Sequence, residues 1–191
     1  MQKINIKKLY TPEQITKTIP TKQYKTKYVN TEITMKACKE CPNYSKNWAC
    51  PQFKEDIYKI WDKYENIKLY LTKINYTKEA QQTKYTPEEL EYITQNTLFK
   101  ERNKLIQTLE HEEQKHKGTY LSAGYCTYCQ ECTRIQQKPC RHPDKCHNSI
   151  ESIGGLVKDT LENIFNEKLK WIDTQKGQLP ENLSLLMALL Y

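Results

Sequence analysis

The stretch Leu183-Ser184-Leu185-Leu186-Met187-Ala188-Leu189-Leu190 is a nearly continuous apolar run in a chain of 191 residues whose mean hydropathy is otherwise low. Periodicity alone fits such a run to a buried strand or a short helix, and we read it as a buried strand. Working outward, Ile67, Leu69 and Leu71 alternate as a second strand. Just before it Phe53, Ile57, Ile60, Trp61 and Tyr64 fall at helical spacing. Further upstream Val29, Thr31, Ile33 and Met35 alternate and predict another strand, so the order strand, loop, helix, strand suggests a layered arrangement of helices on a sheet. Asp159 and Glu162 open a helix carrying Leu161, Ile164, Phe165 and Leu169.

Two further segments have the pattern of a capping box. Thr11-Pro12-Glu13-Gln14 predicts a short helix near the N-terminus. Thr86-Pro87-Glu88-Glu89 opens a long amphipathic helix with Leu90, Ile93, Leu98, Leu105 and Leu109 on one side and Gly118 as its stop. Residues 73–84 are polar and read as a loop. The expected fold class is α/β or α+β, a mixed sheet with flanking helices and two Cys-rich metal-binding loops brought together, in a single domain spanning 1–191.

Leu, Ile, Val and Phe make up about a fifth of the chain, near the bound below which disorder sets in, so something besides the core is expected to hold the fold. The eight cysteines are the candidate. The five glycines form neither GxGxxG nor a phosphate loop ending in GKS or GKT. There is no run of eighteen apolar residues, and Met1-Gln2-Lys3-Ile4-Asn5 lacks an apolar signal core, so a cytoplasmic protein without membrane partners is expected. In a reducing compartment, thiols two residues apart are metal ligands more often than disulfides. The formal charge of +7 includes only three arginines among thirty basic residues, which argues against nucleic acid as a partner. Two four-thiolate iron–sulfur clusters would lower that charge to about +3.

The cysteines lie in two clusters: Cys38, Cys41 and Cys50 in the first, and Cys126, Cys129, Cys132, Cys140 and Cys146 in the second. Cys126-x2-Cys129-x2-Cys132 is the most informative spacing, because three thiolates so placed wrap one loop around a cubane and leave its fourth iron to a more distant cysteine. Tetrahedral zinc more commonly takes two CxxC knuckles. The expected cofactor is therefore one or two [4Fe–4S] clusters, with zinc as the alternative. Cys50-Pro51 resembles the ferredoxin cysteine that ligates the other cluster, so Cys50 could complete the second site while Cys140 or Cys146 completes the first. In the competing partition Cys140 joins Cys126, Cys129 and Cys132 locally. Eight cysteines divide evenly into two sites, yet Cys146 could equally be a free thiol that leaves an iron to His142 or His147. An isolated histidine beside a metal loop is more often a neighbour of the ligands, or merely exposed.

Other chemistries lack their patterns. His111 and His116 are five apart, so HExxH is absent and a solvated charged turn is expected there. CxxxCxxC and GxSxG do not occur, and each CxxC pair has a third cysteine nearby and no βαβ repeat of the thioredoxin kind. No acid, base or substrate pocket is evident, which leaves open whether the protein is an enzyme. Tyr125 and Tyr128, flanking Cys126, could shield a cluster from water or be ordinary core aromatics.

Read together, Cys38-x2-Cys41-Pro42-x-Tyr44, Trp48-Ala49-Cys50-Pro51, Ala123-Gly124-x-Cys126-x2-Cys129-x2-Cys132, Pro139-Cys140-Arg141-x-Pro143 and Ser149-Ile150-Glu151-x2-Gly154 form an ordered set. It resembles the predicted metal-binding proteins known as domain of unknown function 2284, found chiefly in anaerobic archaea and bacteria. The resemblance implies metal or iron–sulfur binding through Cys38, Cys41, Cys50, Cys126, Cys129, Cys132 and Cys140, with no reaction attached. Cys146 departs from the family pattern. In the last motif Ser149 is expected to cap a helix with Glu151 in its first turn, or else Arg141 and Glu151 line a pocket beside a cluster. The two function classes in view are an iron–sulfur electron carrier with a redox partner protein and a zinc-stabilised module that binds a partner.

Overall fold

The computed structural model describes residues 4–51 and 57–191. In chain order, the single turn α1 (Ile6–Leu9) precedes strand β1 (Tyr10–Pro20), helices α2 (Thr21–Tyr28) and α3 (Thr31–Glu40), and the short α4 (Tyr58–Asp62). Strand β2 (Asn66–Tyr76), the short α5 (Lys78–Gln82) and helices α6 (Pro87–Asn96) and α7 (Leu98–His116) follow. Strand β3 (Thr119–Leu121) leads into a long loop and a 3₁₀ turn at Glu151–Ile153, then helix α8 (Val157–Phe165) and strand β4 (Asn182–Leu190).

The strands form one antiparallel sheet in the order β1-β2-β4-β3, so the last strand of the chain inserts between β2 and β3. This explains the unbroken apolar run. Leu186, Ala188 and Leu190 of β4 point to one face with Ile67, Leu69 and Leu71 of β2, against Tyr24, Trp61, Ile150, Ile153 and Leu161. Leu185, Met187 and Leu189 point to the other, against Leu105, Ile106 and Leu109 of α7. Farther along the sheet Ile74, Tyr76 and Leu183 meet Leu90 and Ile93 of α6. A strand covered on both faces loses the alternation of a half-exposed one. Each fully buried leucine there contributes about 2 kcal/mol by removal from water. The sheet with flanking helices is as expected, and its wholly antiparallel pairing is the α+β form of that expectation.

Several local expectations are corrected. Residues 11–14 are not a helix: from Tyr10 to Pro20 the backbone pairs with β2, register Tyr10↔Tyr76 to Pro20↔Asn66. The β-branched Ile15, Thr16, Thr18 and Ile19 favour the extended chain, and the edge position tolerates Pro12. Val29 to Met35 is not a strand, because the Asn30 side chain accepts from the Ile33 backbone N–H at 3.0 Å and caps α3, leaving Ile33 55% exposed. Residues 73–84 are not a loop throughout, since β2 runs on to Tyr76 and α5 follows, capped by Thr77.

The capping box at Thr86 and Glu89 is present in both halves, but the long helix is two. It breaks at Thr97 (φ −118°, ψ −81°), whose hydroxyl donates to Ile93 O at 2.8 Å. Lys117, at φ 52°, is the left-handed residue that ends α7. Gly118 follows because a β-carbon there would stand 2.1 Å from Leu190 O. Helix α8 begins at Val157, two residues before Asp159, and Leu169 lies beyond its end. Ile57 and Trp61 are buried around α4 as their spacing predicts. Phe53, and the N-terminal Met1, Gln2 and Lys3, lie outside the described residues. Among the described residues no helix is long and apolar enough to cross a membrane.

Candidate metal centre

The loop of residues 123–148 leaves the edge strand β3 and returns to the same point. Its base is closed by Ser122 N donating to Asn148 O (2.8 Å) and Ile150 N donating to Ser122 O (3.3 Å). Within it Cys126, Cys129, Cys132, Cys140 and Cys146 all line one narrow cavity, with Tyr128, Thr133, Arg141 and His142. Cys126, Cys140 and Cys146 share the wall of this cavity. The hydrogen bond with Cys146, the Tyr128 backbone N–H and the charges of Arg102 and His147 outweigh burial and pull the Cys126 thiol below its usual range. The same Cys126 contact, together with burial, pushes Cys146 up.

Sequence reading passed over the residue that organises this loop. Arg102 of α7 is 4% exposed and spends its donors on the loop entrance: Nε on Ala123 O (3.0 Å), Nη1 on Thr127 Oγ1 (3.0 Å), and Nη2 on Ser122 Oγ (3.1 Å) and Tyr125 O (2.8 Å). All four acceptors are neutral. A buried guanidinium with no carboxylate partner among the described residues lies beside the Cys126 thiol. The only sequence signal was a lone arginine on the apolar side of a helix.

The first group is built at the end of α3. Cys41 caps the helix, its N–H donating to Cys38 O at 3.1 Å, and a tight loop then returns Cys50, whose thiol donates to Asn43 O at 3.2 Å. Burial, then the Glu151 carboxylate, then Cys41 and Cys50 push the Cys38 thiol up. Cys140 and Cys146 line the second cavity with the CxxCxxC loop, while Cys50 ends the loop that follows Cys38 and Cys41 and its carbonyl accepts from Arg134 of the second loop.

The two loops are fastened together. Trp48 Nε1 donates to Lys138 O at 3.1 Å, and Arg134 donates to Asn47 O (2.6 Å), Cys50 O (3.3 Å) and Ser45 Oγ (3.1 Å). Arg134 also sits over the Trp48 ring, 5.7 Å from its centroid.

The histidines take different places. His142 lines the second cavity and its backbone N–H points at Cys140 Sγ (3.4 Å), whereas His147 bonds through Nε2 to Glu113 (2.8 Å) and stacks on Tyr120 at 3.7 Å. Burial pushes the Glu113 carboxyl up, but the contacts with His147 and the Tyr120 N–H prevail and hold it below the usual range. His111 and His116 stand apart on α7, where His116 faces Glu112 and Tyr191. Tyr125 and Tyr128 are 41% and 38% exposed, so they are not core aromatics, and Tyr128 forms part of the cavity wall. Arg141 lines the second cavity, and Glu151 is not among the described residues that line it. Ser149 caps as expected, its Oγ accepting from Ser152 N at 3.1 Å.

All eight cysteines are free thiols. Among the described residues no three His, Cys, Asp or Glu side chains are arranged to hold a single ion. A cubane makes a different demand, since each of its thiolates binds a separate iron and the donors need not converge on one point. Eight soft donors and a buried, otherwise unmatched cation fit an anionic metal–thiolate group. A family model described as a predicted metal-binding protein (DUF2284) matches residues 17–191. No curated protein and no solved structure matches the chain.

Proposed function

The chain belongs to the DUF2284 family of predicted metal-binding proteins, and on that premise we propose that it is an iron–sulfur protein with an electron-transfer or redox accessory role. The observation that carries this reading is the single cavity on which the CxxCxxC loop, Cys140 and Cys146 converge beside Arg102. Cys126, Cys129, Cys132 and Cys140 would hold a [4Fe–4S] cluster, which when bound supplies a reversible one-electron couple. Four protein thiolates saturate such a group and leave no iron open, which suits electron carriage better than substrate binding.

The chain's own residues then have defined tasks. Arg102 fixes the loop entrance and places positive charge beside Cys126. Cys146, on the same cavity wall as Cys126, would be the thiol left over, and a hydrogen bond from it to a ligating sulfur would favour the reduced state. Tyr128 covers one wall against water, with Lys145 over its ring at 5.6 Å. A redox partner protein would dock on this edge of the sheet, where Tyr125, Tyr128 and Ile135 are exposed.

Substituting Cys129→Ala in protein purified without air tests the reading. Loss of the visible chromophore and of reversible reduction is expected. A variant that unfolds, from a parent that was colourless and redox-silent, would instead establish the zinc-stabilised module.

A further inference from the structure

Strand β3, at one edge of the sheet, carries the cysteine loop; β1, at the opposite edge, pairs with β2 alone among the described residues. At the two ends of that pairing Thr77 N donates to Leu9 O (2.9 Å) and Thr21 N donates to Glu65 O (2.8 Å), in the register that holds throughout β1. Hydrogen-bonded positions alternate along an antiparallel pair. Thr11, Glu13, Ile15, Lys17 and Ile19 therefore turn their N–H and C=O groups towards β2, while Pro12, Gln14, Thr16 and Thr18 turn theirs outward. Residues 11–14 and 16–18 are exposed, so nothing in the described chain covers this edge.

A long open edge is a template for another strand wherever it is not blunted. Pro12 and Pro20 have no N–H to give and blunt its ends, which leaves the stretch from Gln14 to Thr18. The side chains there are self-complementary. Glu13, Ile15 and Lys17 stand on one face, opposite Lys73, Leu71 and Leu69 of β2, and neither Glu13 nor Lys17 forms a salt bridge among the described residues. Lys73 is held by Glu167 at 2.7 Å, and the Lys17 ammonium meets only Ile164 O and the Phe165 ring, 5.6 Å from its centroid. We propose that two copies of this chain pair through β1, antiparallel about a two-fold axis at Ile15, and so join their sheets into one. In that register Gln14 of each copy exchanges backbone hydrogen bonds with Thr16 of the other. Ile15 meets Ile15 and Glu13 faces Lys17, at the non-hydrogen-bonded positions where side chains approach most closely. Sliding either way by the shortest step that keeps N–H against C=O sets Lys17 against Thr11 or Ile15, and the next step sets Glu13 against Glu13 or Lys17 against Lys17. The two-fold contact closes on itself, and it leaves both β3 edges, with their cysteine loops, at the outer ends of the joined sheet.

The pairing is independent of the metal, and its test needs no activity. Sedimentation of the full chain over a range of concentration, with reductant present so that thiols do not cross-link, reads the association, and amide exchange reads its place. The expected result is a reversible dimer in which the Gln14 and Thr16 amides become slow to exchange only as the dimer forms. Glu13→Lys and Lys17→Glu each set like charges opposite one another at both symmetric positions and should weaken the dimer about tenfold, while the chain carrying both substitutions should recover it. Thr16→Pro removes an outward N–H that β2 does not use, so it should be monomeric with unchanged far-ultraviolet dichroism. Should Thr16→Pro fail to fold, the charge exchange decides alone. A wild-type chain that stays monomeric at the highest concentration reached overturns the proposal and leaves the edge to a strand of another protein. A dimer whose Gln14 and Thr16 amides stay fast, one that folded Thr16→Pro leaves intact, or one that the double charge exchange does not recover overturns it equally.

Discussion

Arg102 shows how one side chain can hold a loop and set its charge. Replacing it with leucine leaves Ser122, Thr127 and the Ala123 and Tyr125 carbonyls without their donor. Charged hydrogen bonds of this kind are worth about 2 kcal/mol each in place, and their losses are not additive, so Arg102→Leu should cost about 2–4 kcal/mol. Denaturant unfolding measures that cost, and the same variant should release metal from the second group more readily to a chelator. Cys146 and Cys140 separate on a different property. If Cys146 is a donor to Cys126 and not a ligand, Cys146→Ala keeps its iron but has a lower reduction potential, because the hydrogen bond that favours the reduced state is gone. Cys140→Ala loses the cluster altogether. Loss in Cys146→Ala alone would reverse the roles, and equal iron in both variants would contradict the distinction.

At the level of elements, the contact between α3 and the 3₁₀ turn at Glu151–Ile153 depends on Gly154. Gly154→Ala places a side chain at φ 92° against Thr31 and should cost about 1–3 kcal/mol, read from thermal unfolding. Thr86→Ala, which removes half of a complete capping box far from either group, should cost about 1 kcal/mol and leave metal content unchanged.

These elements also show what could be read in advance. β2 and β4 were legible because burial on one or both faces writes itself into the order of apolar residues. α3 was misread because four alternating residues carry less information than one asparagine placed to cap, and β1 because its partner strand, fifty residues away, decided a segment whose local pattern favoured a turn of helix. The cysteine groups were legible as groups. Their partition was not, since spacing along the chain says nothing of the tie between Trp48, Arg134 and the facing loop. Glu151 was legible as a first-turn residue behind a Ser149 cap or as a pocket wall with Arg141, but its unpartnered buried oxygen was not, because that is a property of packing.

The whole molecule divides its labour between a sheet that folds by apolar burial and loops that depend on donors. Both cysteine groups lie outside the three apolar clusters of the core. Removing metal should therefore leave the far-ultraviolet dichroism of the sheet and helices nearly unchanged, while residues 123–148 gain fast amide exchange. Alkaline pH tests the core itself. Burial holds the phenols of Tyr24, Tyr76 and Tyr120 above the usual tyrosine range, each with smaller contributions from its neighbours. With folded values raised above unfolded ones, their contribution is fully present below about pH 9 and is lost as pH rises past the unfolded value of about 10. Denaturant midpoints should be level below that range and fall above it, together with a rise in tyrosinate absorbance on unfolding.

The central claim is that this chain is an iron–sulfur protein, and metal analysis tests it most directly. Protein purified without exposure to air is assayed for iron, zinc and acid-labile sulfide, and the visible spectrum is taken on the same sample. Iron and sulfide in equal amounts, about four of each for every cluster, with a broad visible band that bleaches on reduction, is the result the account predicts. Stoichiometric zinc with neither sulfide nor colour would contradict it.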